Sequence, residues 1–310
     1  LPICLMLGAC VPGNYSYHEP ATRAAMPQEA GMPPMKAFSV PRPLPPQRSN
    51  RDIQRDILDL GFQLESGRML QHFSRFEGPI TLRVTGEPPI TLISDLNRLL
   101  HRLQTEAGIN ITSPQEVRDC LHEELAQALG PLNDLYRLSD SVFNDDNVHA
   151  VLTGFDMLVL KVFYAPELRA GMTRREVEER LPAILSRLNP AGDGLAPRFA
   201  GSTPRAWIDA IQTALGPGAR PMERRTAAAD AVRIAQAVGW TDHRRAFSHF
   251  ALGRITQASD PDFAQEQFVM AERFYEANPG TDLHRAFAAA QLAAYAIAQG
   301  RGEDALMLIG

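Results

Sequence analysis

The sequence predicts a mainly α-helical protein of α+β character, with few strands in its first half and a short α-helical solenoid in its second. Three observations predict this. Apolar residues recur at helical spacing through most of the chain, one stretch alternates apolar and polar residues between turn formers, and a block beginning at Thr241 returns forty residues later. At 310 residues the chain is long enough for two domains. The signals divide it into an apolar opening at 1–10, a proline-rich stretch at 11–50, a helix-and-strand domain at 51–200 and a helical repeat domain at 201–310.

A hydrophobic content of 45% with 22% charged residues is ordinary for a globular chain, and a net charge of -5 provides no basic field, so no nucleic-acid partner is expected. After the first ten residues no apolar run approaches the roughly 18 residues that a membrane-spanning helix needs. The opening Leu1-Pro2-Ile3-Cys4-Leu5-Met6-Leu7-Gly8-Ala9-Cys10 is apolar, too short to span, and ends in small residues, as the end of a secretory signal does. Its basic segment is missing, so the sequence reads as starting inside the signal. Leu7-Gly8-Ala9-Cys10 resembles the bacterial lipobox, which implies lipidation (palmitate) of Cys10 and a membrane partner reached through that anchor. Val11 rather than aspartate after Cys10 implies, by the same resemblance, the outer membrane facing the periplasm.

Between residues 11 and 50 prolines are dense and apolar periodicity is lacking, so this stretch cannot bury enough surface to offset its ordering entropy. It is expected to be a disordered tether, stiffened by polyproline II at Pro41-Arg42-Pro43-Leu44-Pro45-Pro46. With Cys4 removed and Cys10 acylated, Cys120 has no partner and a disulfide scaffold is excluded.

Beyond the tether, Ile53, Ile57, Leu60 and Leu64 predict a helix over 52–64 with Asn50 as its cap. The alternation over 78–86 reads as a half-buried strand. Leu96, Leu99, Leu100 and Leu103 return to helical spacing over 93–103, with Ser94 as cap and Asp95 in the first turn; Gly108 ends this helix and Ile109-Asn110-Ile111-Thr112 could be a second short strand. Ser113-Pro114 with Glu116 forms a capping box, and Gly130-Pro131 is an equally strong stop. Between them Val117, Leu121, Leu125, Ala128 and Leu129 make one apolar stripe expected to face the core.

His122-Glu123 invites a zinc reading, but Ala126 stands where the second histidine of HExxH would be, and Gln127 lies about 140° round the helix from His122. A frame shifted by one residue, from Glu123 to Asp134, resembles the metzincin pattern HExxHxxGxxH/D, with Glu123, Gln127 and Asn133 replacing the ligands. Glu123 and Gln127 share a helix face as an i, i+4 pair, Glu124 lies beside that face, and Gly130 permits the turn that would return Asn133. Ser141-Val142-Phe143-Asn144 resembles the Met-turn of that family, with Phe143 for methionine. The stretch from Phe155-Asp156 to Phe163-Tyr164 resembles the helix that follows it.

Together Cys120 to Gly130 and Asp140 to Asp146 are similar to an uncharacterised family of bacterial lipoproteins, a domain of unknown function, over roughly 50–190. The resemblance implies that a histidine-poor motif is the family's normal state. It also implies a longer segment before the motif helix that would line a peptidase cleft, and its shortness here argues against a formed cleft. Against any metal reading stands the plainer one. Glu123-Glu124 and Asp145-Asp146 are solvated faces, His122 and His149 are surface groups or neighbours of a site rather than ligands, and Cys120 is an inert small hydrophobe.

In the C-terminal part, Thr241-Asp242-His243-Arg244-Arg245-Ala246-Phe247 recurs as Thr281-Asp282-Leu283-His284-Arg285-Ala286-Phe287, five of seven positions matching. The forty-residue period resembles tetratricopeptide-like helix pairs, with Phe247 and Phe287 in equivalent buried positions. An intervening helix is expected over 263–275, packing through Ala264, Phe268 and Ala271, with Asn278-Pro279-Gly280 as the break. The apolar end Leu306-Met307-Leu308-Ile309 reads as a helix cut short.

Two function classes follow. One is a metzincin-related envelope peptidase in which Glu123, Gln127 and Asn133 or Asp134 hold a divalent metal and Glu124 is the general base. The other is a non-catalytic lipoprotein on the same scaffold, with no cofactor and a protein partner bound at the C-terminal repeats. Oxygen-only ligands suit calcium, magnesium or manganese better than zinc and lack the imidazoles that poise zinc-bound water, which favours the second class.

Overall fold

The helical content is set first by caps. In the computed structural model of the protein, residues 44–82, 92–112, 121–146, 148–149, 151–198 and 200–309 are described; side chains are not described at 81, 92–95, 112 and 121–124. Helix α1, Asn50–Phe62, starts at Ser49, whose hydroxyl accepts from the Asp52 backbone N–H at 3.0 Å. Asn50, expected as the cap, is instead the first helical residue. Its side-chain amide donates to the Asn189 carbonyl (3.0 Å) and to Asp193 (2.6 Å), because the chain returns beside it there. The apolar face of α1, Ile53, Ile57 and Leu60, is fully buried.

The alternating stretch yields only strand β1, Ile80–Thr81; residues 83–86 of the expected strand lie outside the described residues. β1 pairs in parallel with β2, Ile111–Thr112, in the register Ile80 to Ile111 and Thr81 to Thr112. Between them α2, Leu92–Ala107, begins before Ser94, so Ser94 is helical rather than a cap. Gly108 ends α2 at φ +71°, with its N–H on the Gln104 carbonyl at 3.1 Å.

The motif helix α3, Leu121–Ala128, is described only from its second half in side-chain terms, and Ser113 to Cys120 lie outside the described residues. Leu125 and Ala126 of α3 and Leu129 just after it are buried, whereas Ala128 is exposed, so the buried stripe is rotated from the expected one towards Ala126. Gly130 is required twice over. Its φ is +138°, and a Cβ there would sit 2.7 Å from the Ser74 carbonyl oxygen and 2.8 Å from the Phe163 ring.

Helix α4, Gly154–Phe163, is buried on nearly every side and is held at its start by a reciprocal capping box between Thr153 and Asp156. Thr173 and Glu176 do the same for α5, Arg174–Leu188, which a 3-10 turn at Pro190–Gly194 follows. Helices α1 to α5 share one core, centred on Ile57, Leu99, Leu129, Phe143, Phe163 and Leu181. A helix buried all round at the centre of such a core is what the unbroken run Phe155 to Phe163 encodes.

Six helices complete the chain: α6 Arg205–Leu215, α7 Pro221–Ala237, α8 His243–Thr256, α9 Pro261–Glu276, α10 Asp282–Ala298 and α11 Gly302–Ile309. Each packs on the next, and α6 also reaches α8. The crossings are built from small residues: Ala228 and Ala231 on α7, Ala246 and Ala251 on α8, Ala264 and Ala271 around Phe268 on α9. Gly253 lets Phe268 approach, since a Cβ there would lie 2.8 Å from its ring. Asn278-Pro279-Gly280 breaks the chain before α10, with Gly280 at φ +83°.

One expected equivalence fails. Phe247 is 5% exposed, but Phe287, at the matching position forty residues on, is 45% exposed. The surroundings differ: α8 packs on α6, α7 and α9 and its Phe247 lies against Tyr136 and Trp207, whereas the main helix contacts of α10 are with α9 and α11.

Candidate functional site

The chain leaving Gly130 is fastened to α1. Leu132 N–H donates to the Leu60 carbonyl at 2.9 Å, and the Asn133 side-chain amide donates to the Asp59 carbonyl at 3.2 Å. Arg137 then spans Asp56 (2.8 Å) and Asp59 (2.9 Å), while Arg48, at the end of the proline-rich stretch, also bonds Asp56 (3.1 Å) and lies over the Phe155 ring. Burial raises the Asp56 carboxyl, and the two arginines act against that. Asn133 therefore does not return to Gln127 as the shifted frame expects, because the end of α1 offers an acceptor first.

Asp134 makes the return instead. Gln127 Nε2 lies 2.9 and 3.0 Å from the two Asp134 carboxylate oxygens and donates to them. An amide N–H group is a donor and has no lone pair for a cation, and here it faces the carboxylate that would have been the ligand. In this arrangement the Gln127 and Asn133 amide N–H groups are engaged as donors to Asp134 and to the Asp59 carbonyl. Among the described residues no group of three or more His, Cys, Asp or Glu could hold one. The side chains of His122, Glu123 and Glu124 lie outside the described set, as does Cys120.

The turn after this segment is organised by one carboxylate. Asp156, fully buried at the start of α4, accepts from the Ser141 hydroxyl (2.5 Å), the Val142 N–H (3.2 Å) and the Thr153 N–H (2.7 Å). Burial pushes its carboxyl up, and these donors oppose that shift. Ser141 in turn accepts from the Phe143 N–H at 3.0 Å, and Phe143 is wholly buried. At the other end of α4 the Tyr164 hydroxyl donates to the Leu129 carbonyl at 3.1 Å, next to Gly130. The glycine turn, the Ser141 turn and the Asp-to-Tyr helix are thus one hydrogen-bonded assembly.

Between them, Tyr136 to His149 supply what sequence reading missed. Tyr136 enters a cluster with Trp207, Trp240 and Phe247, its ring edge-on to Trp207 at 5.0 Å. Its hydroxyl donates to Asp145 at 2.6 Å; burial, and then Asp145 itself, pushes the phenol far above its ordinary value. Burial also raises Asp145. The Tyr136 carbonyl accepts from His243 Nε2 at 2.7 Å, and burial lowers the imidazole to about 4.

Asp146 lies 2.8 Å from His284 Nε2, and it also accepts from Asn144 at 2.7 Å and the Val148 N–H at 3.1 Å. Read as a solvated acidic pair, Asp145-Asp146 is in fact the seam between α8–α10 and the first helical set. His149 points to the Ser139 carbonyl (3.1 Å) and lies edge-on to His284 at 5.7 Å.

The Gly130 turn, the Ser141 turn and α4 fall within one matched stretch of sequence. Residues 111–183 match the family described as Protein of unknown function (DUF2927), a stretch that runs from β2 to within α5. No curated protein and no solved structure matches the chain.

Proposed function

We propose that this chain is a lipid-anchored protein of the bacterial cell envelope in which a metzincin-related helix and turn serve as a scaffold without catalysis. A tetratricopeptide-like helical solenoid, the stacked set α6 to α11, binds a protein partner, and Cys10 carries the lipid that holds the chain at the outer membrane, facing the periplasm. The observation that carries the non-catalytic reading is the Gln127 amide bonded to both oxygens of Asp134. A side-chain cross-link between helix and return loop rigidifies the turn and sets an amide donor, not a cation, against the Asp134 carboxylate. Asn133, bonded to Asp59, supports the same reading.

The anchor reading rests on Leu7-Gly8-Ala9-Cys10 and the proline-dense stretch after it, which lie outside the described residues. Among the described residues no helix is long and apolar enough to cross a membrane, so attachment through Cys10 supplies what the described helices do not. Fractionation tests it: the intact protein is expected with membranes and Cys10→Ala in the soluble envelope fraction, and retention of Cys10→Ala on membranes refutes the anchor. Casein cleavage that required zinc and vanished in Glu124→Ala would restore the peptidase reading.

A further inference from the structure

Helix α10 carries an apolar face that the described chain leaves open. From Leu283 to Ile297 its exposed residues are Leu283, Ala286, Phe287, Ala290, Ala294 and Ile297, none of them polar or charged. Leu283 is 46% and Ile297 65% exposed, in line with Phe287. At about 100° per residue the six fall within an arc of about 100° along four turns. In the preceding copy of the repeated block, Phe247 is shut against Tyr136 and Trp207. Among the described residues the Phe287 face has no such cover.

The face is very nearly a palindrome. Leu283 and Ile297 lie seven residues either side of Ala290, and Ala286 and Ala294 lie four either side. A two-fold axis through Ala290 would therefore set Leu283 of one copy against Ile297 of the other and Ala286 against Ala294, with alanine at the crossing where helices come closest. Charge agrees with this register. An uncharged face strands no charge only against another uncharged face. In addition, the antiparallel arrangement brings the positive end of one α10 towards the negative end of the other.

We infer that the occupant of this face is a second copy of the chain, packed antiparallel, α10 on α10, about Ala290. This inference is independent of the reading of the motif helix and of the anchor.

The test is sedimentation equilibrium of the full chain carrying Cys10→Ser, so that no lipid is attached, up to about 1 mM. The expected result is reversible dimerisation that Ala290→Glu and Ala290→Lys each abolish, and that an equimolar mixture of the two restores because position 290 faces itself. Residue 290 is exposed and both replacements are good helix formers, so far-UV circular dichroism should match the parent. A parent protein monomeric throughout, variants that still dimerise, or a mixture that stays monomeric would each overturn the proposal. So would a monomer that binds phosphatidylglycerol vesicles through this face.

Discussion

His284 of α10 and Asp146 of the loop before α4 lie 2.8 Å apart with their side chains 1% and 2% exposed, and so pin the C-terminal helices to the segment that follows the motif helix. A buried pair of this kind is costly to break from one side, since the remaining group keeps its desolvation without its partner. His284→Ala should lower unfolding free energy by about 2–3 kcal/mol, read from urea midpoints at constant slope. A loss below about 0.5 kcal/mol would show that the pair contributes no more than an exposed one.

His243 makes stability depend on pH. Its imidazole is lowered by burial to about 4 from an ordinary 6.5, so the unfolded chain takes up the proton first. The neutral form's contribution is complete above the ordinary value and is lost as pH falls from about 6.5 towards about 4, to a ceiling of about 3 kcal/mol. His243→Gln should flatten the melting temperature over that interval. An unchanged slope in the variant would assign the dependence to other groups.

Gly130 and Gly108 both hold positive φ, but only Gly130 is crowded. Gly130→Ala is expected to cost about 3 kcal/mol or more, combining backbone strain with a clash against Ser74 and Phe163, while Gly108→Ala should cost about 1 kcal/mol. Equal effects in thermal melts would contradict the close approach.

Phe247 and Phe287 occupy the same place in the repeated block but different surroundings. Phe247→Ala should destabilise by about 3–4 kcal/mol through the cavity left beside Trp207, whereas Phe287→Ala should change monomer stability by under about 1 kcal/mol. Comparable losses in chemical denaturation would mean that α10 is covered in the monomer too.

The sequence showed these features unevenly, for physical reasons. Gly130, Gly108 and Gly280 were legible because a positive φ leaves few alternatives to glycine, and Ala264, Phe268 and Ala271 because period and residue size both survive in sequence. Ser49 and Asn50 are both good caps, and the choice fell to a contact with Asn189 that is remote along the chain. The difference between Phe247 and Phe287 could not be read from a repeat, since it depends on what packs against each ring. Asp146 looked like a surface acid because its partner stands 138 residues away. Of the candidate site, the return of the loop to Gln127 was foreseen but assigned first to Asn133; adjacent residues on a loop differ only in where the backbone turns them, and Asp59 claimed Asn133.

On the non-catalytic reading proposed for the motif helix, the Gln127–Asp134 cross-link takes the place of a bound metal. Elemental analysis of the purified protein, dialysed and then offered zinc, tests it most directly. The account predicts well under one equivalent of zinc retained, with no change on Glu124→Ala. One tightly held equivalent that Asp134→Ala removes would contradict it.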